Sequence, residues 1–176
     1  MTDLRKELDA LGTNYRAMLE SPLARLDDAR HDLLKYLAEK RIPGIVILFT
    51  MPVSAARAHL ARLGIDAVRI FFIDCVTPGH AREDNVTYIG ETSLTDIAIA
   101  VGQFAETIPG EKFLLMDAVN TLLIEHDEKT AAKFVNAITA RATMLAMDAV
   151  FIVVKGKDPG LYQSIYPFFD KVIDYG

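Results

Sequence analysis

The 176-residue chain has a single cysteine, Cys75, and no surplus of basic charge. A lone cysteine excludes an internal disulfide and a paired-cysteine metal site, and it fits a reducing compartment. No stretch approaches the run of about 18 apolar residues that a membrane-spanning helix needs. Met1 to Asp9 alternates charges where a secretory leader would be apolar. The 19 Lys and Arg against 24 Asp and Glu leave a net charge of −5, with no Lys/Arg cluster, which argues against a nucleic-acid partner. What is there is apolar: 51% of residues are hydrophobic and 24% charged. That is enough to bury a core without disulfide or metal staples and too much for a disordered chain. These balances predict a soluble, cytoplasmic protein of one domain, residues 1–176, with no membrane partner.

Catalytic and cofactor motifs are equally scarce. There is no GxxxxGK followed by Ser or Thr, no GxGxxG after a strand and no GxSxG around Ser54 or Ser164. The four histidines, His31, His59, His80 and His126, fall far apart on predicted helices or loops, with no HxxxH or HxH spacing to bring two onto a metal. Cys75 lacks an obvious base and reads as a buried, inert thiol. His126-Asp127-Glu128 reads as a helix start, and Lys155 to Gly160 as a mobile, solvated turn. No catalytic residue, metal or cofactor is therefore expected.

Hydrophobic periodicity divides the chain at about residue 41. Leu4, Leu8, Leu11, Tyr15 and Leu19 recur at helical steps, as do Leu26, Leu33, Leu34 and Leu37. They predict an N-terminal helical segment, 1–41, with helices over 3–19 and 22–40. From 42 to 176 strands and helices alternate. Continuous apolar runs at 44–50, 69–75, 112–117 and 149–154 read as strands buried on both faces, with a fifth at 172–175 and a short one at 86–89. Helices fall between them, and Thr77 to Asn85 reads as an exposed loop. Strands separated by helices imply a three-layer α/β sandwich with a mainly parallel sheet of about five strands. Ligands in such folds sit beyond the carboxyl ends of the strands. Those ends carry Thr50-Met51, Asp74-Cys75, Asp117-Ala118 and Lys155-Gly156.

The order of these pieces resembles the KaiC-like branch of the RecA-type ATPases over residues 44–123. ILFTMP (47–52) is similar to that branch's second strand, which ends in a Phe-Glu-Glu-Pro-like turn. Ala58 to Asp66, ending Leu-Gly-Ile-Asp, is similar to the helix and turn that follow it, and Arg69 to Cys75 to a strand ending in aspartate. LLMDAVNTL (114–122) is similar to the Walker B strand. The resemblance implies a RecA-like fold, makes Asp117 the Walker B carboxylate and puts Thr50 and Met51 at the positions of the paired catalytic glutamates. Neither Thr50 nor Met51 is a carboxylate base, and no phosphate cradle precedes the helix at 22–40. The P-loop and its strand are expected to be lost, with the helical N-terminus in their place. Asp74 and Asp117 could together hold a Mg²⁺ through water, or Asp117 could persist as a relic that caps the turn after it. The resemblance thus implies a pseudo-ATPase, without enzymatic activity, acting as a protein-binding or regulatory module through a protein partner or self-association. The alternative is a nucleotide or small-anion sensor that binds without hydrolysis at the strand-end crevice. A binding surface is expected on the N-terminal helices or on Tyr162, Tyr166, Phe168 and Phe169, which otherwise pack into the core.

Overall fold

The computed structural model describes residues 3–90 and 93–176. The N-terminal segment contributes helix α1 (Leu4–Asp9), strand β1 (Arg16–Ser21) and helix α2 (Leu26–Glu39). Strand β2 (Gly44–Leu48), helix α3 (Val53–Arg62) and strand β3 (Ile70–Asp74) follow. A hairpin of β4 (His80–Glu83) and β5 (Val86–Ile89) leads to helix α4 (Leu94–Thr107) and strand β6 (Lys112–Met116). The chain closes with a 3₁₀ turn at Val119–Ile124, helix α5 (Glu128–Met144), strand β7 (Met147–Val154), helix α6 (Pro159–Ile165) and strand β8 (Lys171–Asp174).

The eight strands form one sheet in the order β4-β5-β3-β2-β6-β7-β1-β8. Neighbours run parallel except β4 and β5. Side chains alternate across it. Ile45, Ile47, Leu114, Met116, Ala149, Phe151 and Val153 meet α4, α5 and α6 on one face, whereas Val46, Leu48, Leu115, Val150 and Ile152 meet α1, α2 and α3 on the other. This is the expected three-layer α/β sandwich, with more strands than expected. Close approach in its centre is built on Gly44, where a Cβ would fall 2.3 Å from the Phe113 ring. Among the described residues no helix is long and apolar enough to cross a membrane.

The largest correction is at the N-terminus. The helix expected over 3–19 ends at Asp9, and Gly12 (φ 75°) and Asn14 (φ 57°) take left-handed backbone that no helix continues through. Residues 16–21 are a strand, seated between β7 and β8 with Leu19 opposite Ile152 and Ile173. So 1–41 is not a purely helical segment, and the strand expected to be missing ahead of α2 is present. The run Arg16-Ala-Met-Leu-Glu consists of strong helix formers, but pairing on both sides and burial of Ala17, Met18 and Leu19 override that preference. The stretch read as an exposed loop, Thr77 to Asn85, holds β4, so His80 lies on a strand. Helix starts follow the sequence: Ser93 caps α4 through Asp96 N–H, and Asp127 caps α5 through Thr130 N–H at 2.7 Å.

Candidate functional site: a buried arginine–aspartate pair at the strand ends

Asp117 follows β6 at its carboxyl end and is fully buried. One carboxylate oxygen accepts from the Phe49 amide at 2.7 Å. The other accepts from the Thr50 amide at 3.3 Å and from the Thr50 hydroxyl at 2.7 Å. All three donors sit just past β2, the strand beside β6, so parallel pairing puts the loop after one strand onto the residue that follows the other.

A fourth contact comes from the opposite layer. Arg30 on α2 is 2% exposed, and its Nε lies 3.5 Å from Asp117 Oδ2. Its Nη2 donates to the Thr50 hydroxyl at 2.6 Å and its Nη1 to Asp27 at 2.8 Å. Thr50 Oγ1 therefore accepts from the guanidinium while donating to the carboxylate, linking α2, β2 and β6. Arg30 Nε makes no hydrogen bond, so Coulomb attraction alone holds it to Asp117. Burial pushes the Asp117 carboxyl above the usual range, against the opposing pull of Arg30 and the three hydrogen bonds.

Asp74, at the end of β3, is equally buried but differently held. It accepts from the Val53, Val76 and Thr77 amides and the Thr77 hydroxyl, at 2.7–2.9 Å. Val53 is the first residue of α3, so Asp74 satisfies a free amide at that helix start. Burial raises its carboxyl, but these four donors outweigh it and leave the group below its ordinary value. Each aspartate is thus saturated by its own donors. Among the described residues no group of three or more His, Cys, Asp or Glu is placed to hold a metal ion. Met51 is half-buried against the α1–α3 side of the core, and Thr50 is committed to Arg30 and Asp117. Burial, then the charges of Asp117 and Asp74, push the Cys75 thiol well up, away from a reactive thiolate.

Three features escaped the sequence reading. Arg30 is the first: its place in the charged run 27–32 hid it. Its spacing was the available signal, because Arg30 stands three, four and seven residues before the buried Leu33, Leu34 and Leu37. The second is a histidine pair. His31 of α2 stacks on His59 of α3, with centroids 3.4 Å apart and planes within 9°, so these two are adjacent rather than far apart. Burial lowers both imidazole pKa values. The third is the anchored turn after β7. Asn120 accepts from the Val154 amide and donates to Asp158, both at 2.7 Å, and Lys155 pairs with Asp174 at 2.6 Å. The turn read as mobile and solvated is largely exposed, as expected, but it is tied to the site's neighbours. Of the C-terminal aromatics, Tyr162, Phe168 and Phe169 pack against the core, while Tyr166 is half-exposed.

Between β1 and α2 the chain passes through Pro22-Leu23-Ala24-Arg25, a single 3₁₀ turn closed by the Arg25 amide on the Pro22 carbonyl. The Ser21 hydroxyl, buried at the strand end, also turns to that carbonyl.

Residues 19–175 match the family described as "Family of unknown function (DUF7504)". No curated protein sequence matches the chain. The fold is similar to that of the KaiC-like protein PH0186 from the hyperthermophilic archaeon Pyrococcus horikoshii OT3, at 12% identity and TM-score 0.66 over 92% of this chain and 73% of that one. It is also similar to the uncharacterized P. horikoshii protein PH0321, solved in complex with an unknown peptide, at 16% identity and TM-score 0.73 over 96% and 82%. PH0250 of the same organism aligns at 11% identity and TM-score 0.62 over 98% and 87%. At these identities the likeness is one of fold: a KaiC-like, RecA-type α/β domain.

Proposed function

We propose that this chain, which belongs to the family of unknown function DUF7504, is a non-catalytic KaiC-like domain that works by binding protein. The observation that carries this reading is the Arg30–Asp117 pair. In the resemblance drawn above, Asp117 is the carboxylate that would serve Mg²⁺ through water. Here a guanidinium from the chain's own α2 takes that place, 3.5 Å from the carboxylate. A divalent cation entering beside it would meet a buried like charge in a medium of low dielectric. Thr50 and Met51 supply no carboxylate to orient a water.

The turn before α2 supports the same reading. Pro22-Leu23-Ala24-Arg25 contains no glycine and no lysine, and Pro22 has no amide proton to give. Phosphate cradles need successive backbone amides free to converge on the ligand. The peptide bound to PH0321, a protein of similar fold, fits a module that recognises protein rather than turning over nucleotide.

Calorimetric titration of the purified chain with ATP, ADP and Mg²⁺ tests the reading. The expected result is no heat and no shift in melting temperature. Micromolar binding would overturn it in favour of a nucleotide sensor. Mg²⁺-dependent phosphate release that co-elutes with the chain, and that vanishes in Arg30→Met/Asp117→Leu, would overturn it in favour of an ATPase.

A further inference from the structure

The side chains of α4 and α5 that point away from the sheet leave a groove of about 630 Å³ between the two helices. Its lining includes Leu94, Ala98 and Ile99 from α4 and Ala137, Ala140 and Met144 from α5. Ile99 is 50% exposed and Met144 85%. Such side chains standing free beside small residues are not required by the core, which α4 and α5 complete through Ile97, Val101, Phe104, Val135 and Ile138. The alanines keep the groove shallow and smooth enough for another helix to approach at the usual interaxial distance of about 8–10 Å. From Thr130 to Met144 the α5 edge extends about 21 Å at 1.5 Å per residue, or about four turns.

Among the described residues of the lining the charge is of one sign: Lys133 and Arg141 are its only charged side chains, in a chain whose net charge is −5. Arg141 is fixed there: its Nη1 donates to the Ala98 carbonyl at 2.6 Å, crossing α4 at Gly102, where a Cβ would lie 2.7 Å from that nitrogen. Lys133 makes no hydrogen bond or ion pair with another described residue, and exposed Lys129 stands one turn before it.

We infer that the α4–α5 groove is a docking site for an acidic amphipathic helix of a partner protein. Apolar anchors at i, i+3 or i+4, and i+7 fill the space beside Ile99 and Met144, and flanking Asp or Glu meets Lys133 and Arg141. A second copy of this chain fits poorly. A two-fold arrangement would bring the cations of this face, Lys133 and Arg141, against the same cations of the other copy. The chain's own acidic helix, α2, has exposed Asp27, Asp28 and Asp32, but Leu33, Leu34 and Leu37 are already spent in the core. This inference rests on the protein-binding reading and names its partner class and surface.

A displayed library of 18-residue peptides, panned in parallel against the chain and an Ile99→Asp/Met144→Glu variant of unchanged circular dichroism, tests it. Enriched peptides are expected to carry the i, i+3/i+4, i+7 apolar pattern flanked by Asp or Glu. They should bind the double variant, and Lys133→Glu, at least tenfold more weakly. Enriched peptides without acidic bias, or ones that bind the variants as well as the original chain, overturn the groove while leaving a protein-binding module in place. A concentration-dependent dimer dissolved by Ile99→Asp/Met144→Glu overturns the choice of partner in favour of a second copy. Failure of the underlying reading shows separately, as nucleotide heat in the calorimeter.

Discussion

Asp74 and Asp117 occupy matching places: each ends a buried strand of the same parallel sheet, and neither exposes its side chain. They differ in what satisfies them. Asp74 takes neutral donors, three amides and a hydroxyl, two of the amides lying within three residues of it. Asp117 takes two amides and a hydroxyl from the next strand's loop, plus a guanidinium from a helix in another layer. Local neutral donors make Asp74 a tie that shapes its own loop. A charge brought from 87 positions earlier in the sequence makes Asp117 a keystone between layers, and it uses up the chemistry a strand-end aspartate would offer a ligand. The same residue type in the same topological position is thus structural in two different ways.

The contrast breaks most visibly at Asp117. Removing one partner of a buried ion pair strands the other charge, a loss of about 3–5 kcal/mol. Asp117→Ala and Arg30→Ala should each fall in that range in urea unfolding. The double variant Arg30→Met/Asp117→Leu should recover most of the loss, because an apolar pair needs no desolvation of charge. If the double variant instead loses the sum of the two singles, the pair is not coupled and the keystone description fails. Asp74→Ala removes an acceptor without stranding a charge. Its loss should be smaller, about 1.5–3 kcal/mol, the scale of hydrogen bonds to an ionised group, and no single compensating substitution is available on a distant helix.

This contrast also marks the limit of what the sequence made legible. Both aspartates were readable, because a continuous apolar run ending in Asp, Ile70 to Asp74 and Phe113 to Asp117, is a strand-end signature whatever the residue goes on to touch. The sandwich was readable for the same reason. Donors from the same loop, as at Asp74, are within reach of local reasoning. Arg30 was not, since helix α2 presents it amid Asp27, Asp28, His31 and Asp32, a run that composition alone assigns to solvent. Only its register with Leu33, Leu34 and Leu37 betrays it. Strand β1 failed in the opposite direction. Its residues favour helix, and only pairing with β7 and β8, 125 or more residues away, makes it a strand. Nothing local encodes that pairing except the left-handed Gly12 and Asn14 that stop the helix before it.

The finest difference lies in the sign of the two acid responses. The folded state holds the Asp74 carboxyl below its ordinary value, so its stabilisation is complete above the unfolded value of about 3.9 and fades as pH falls through the folded one. The stability gap between the original chain and Asp74→Asn should therefore be flat at neutral pH and shrink below about pH 4. Burial raises Asp117 instead, so its ionised form is disfavoured by folding. Its titration contributes most when protonated and declines as pH rises from about 3.9 through the higher folded value. The gap to Asp117→Asn should consequently widen on acidification over that interval, the reverse of the Asp74 case. Thermal melts of the three proteins between pH 3 and 7 read both gaps at once. Two gaps that move in the same direction would mean that Arg30 and the hydrogen bonds outweigh burial at Asp117, and that both carboxylates are held as stabilised anions.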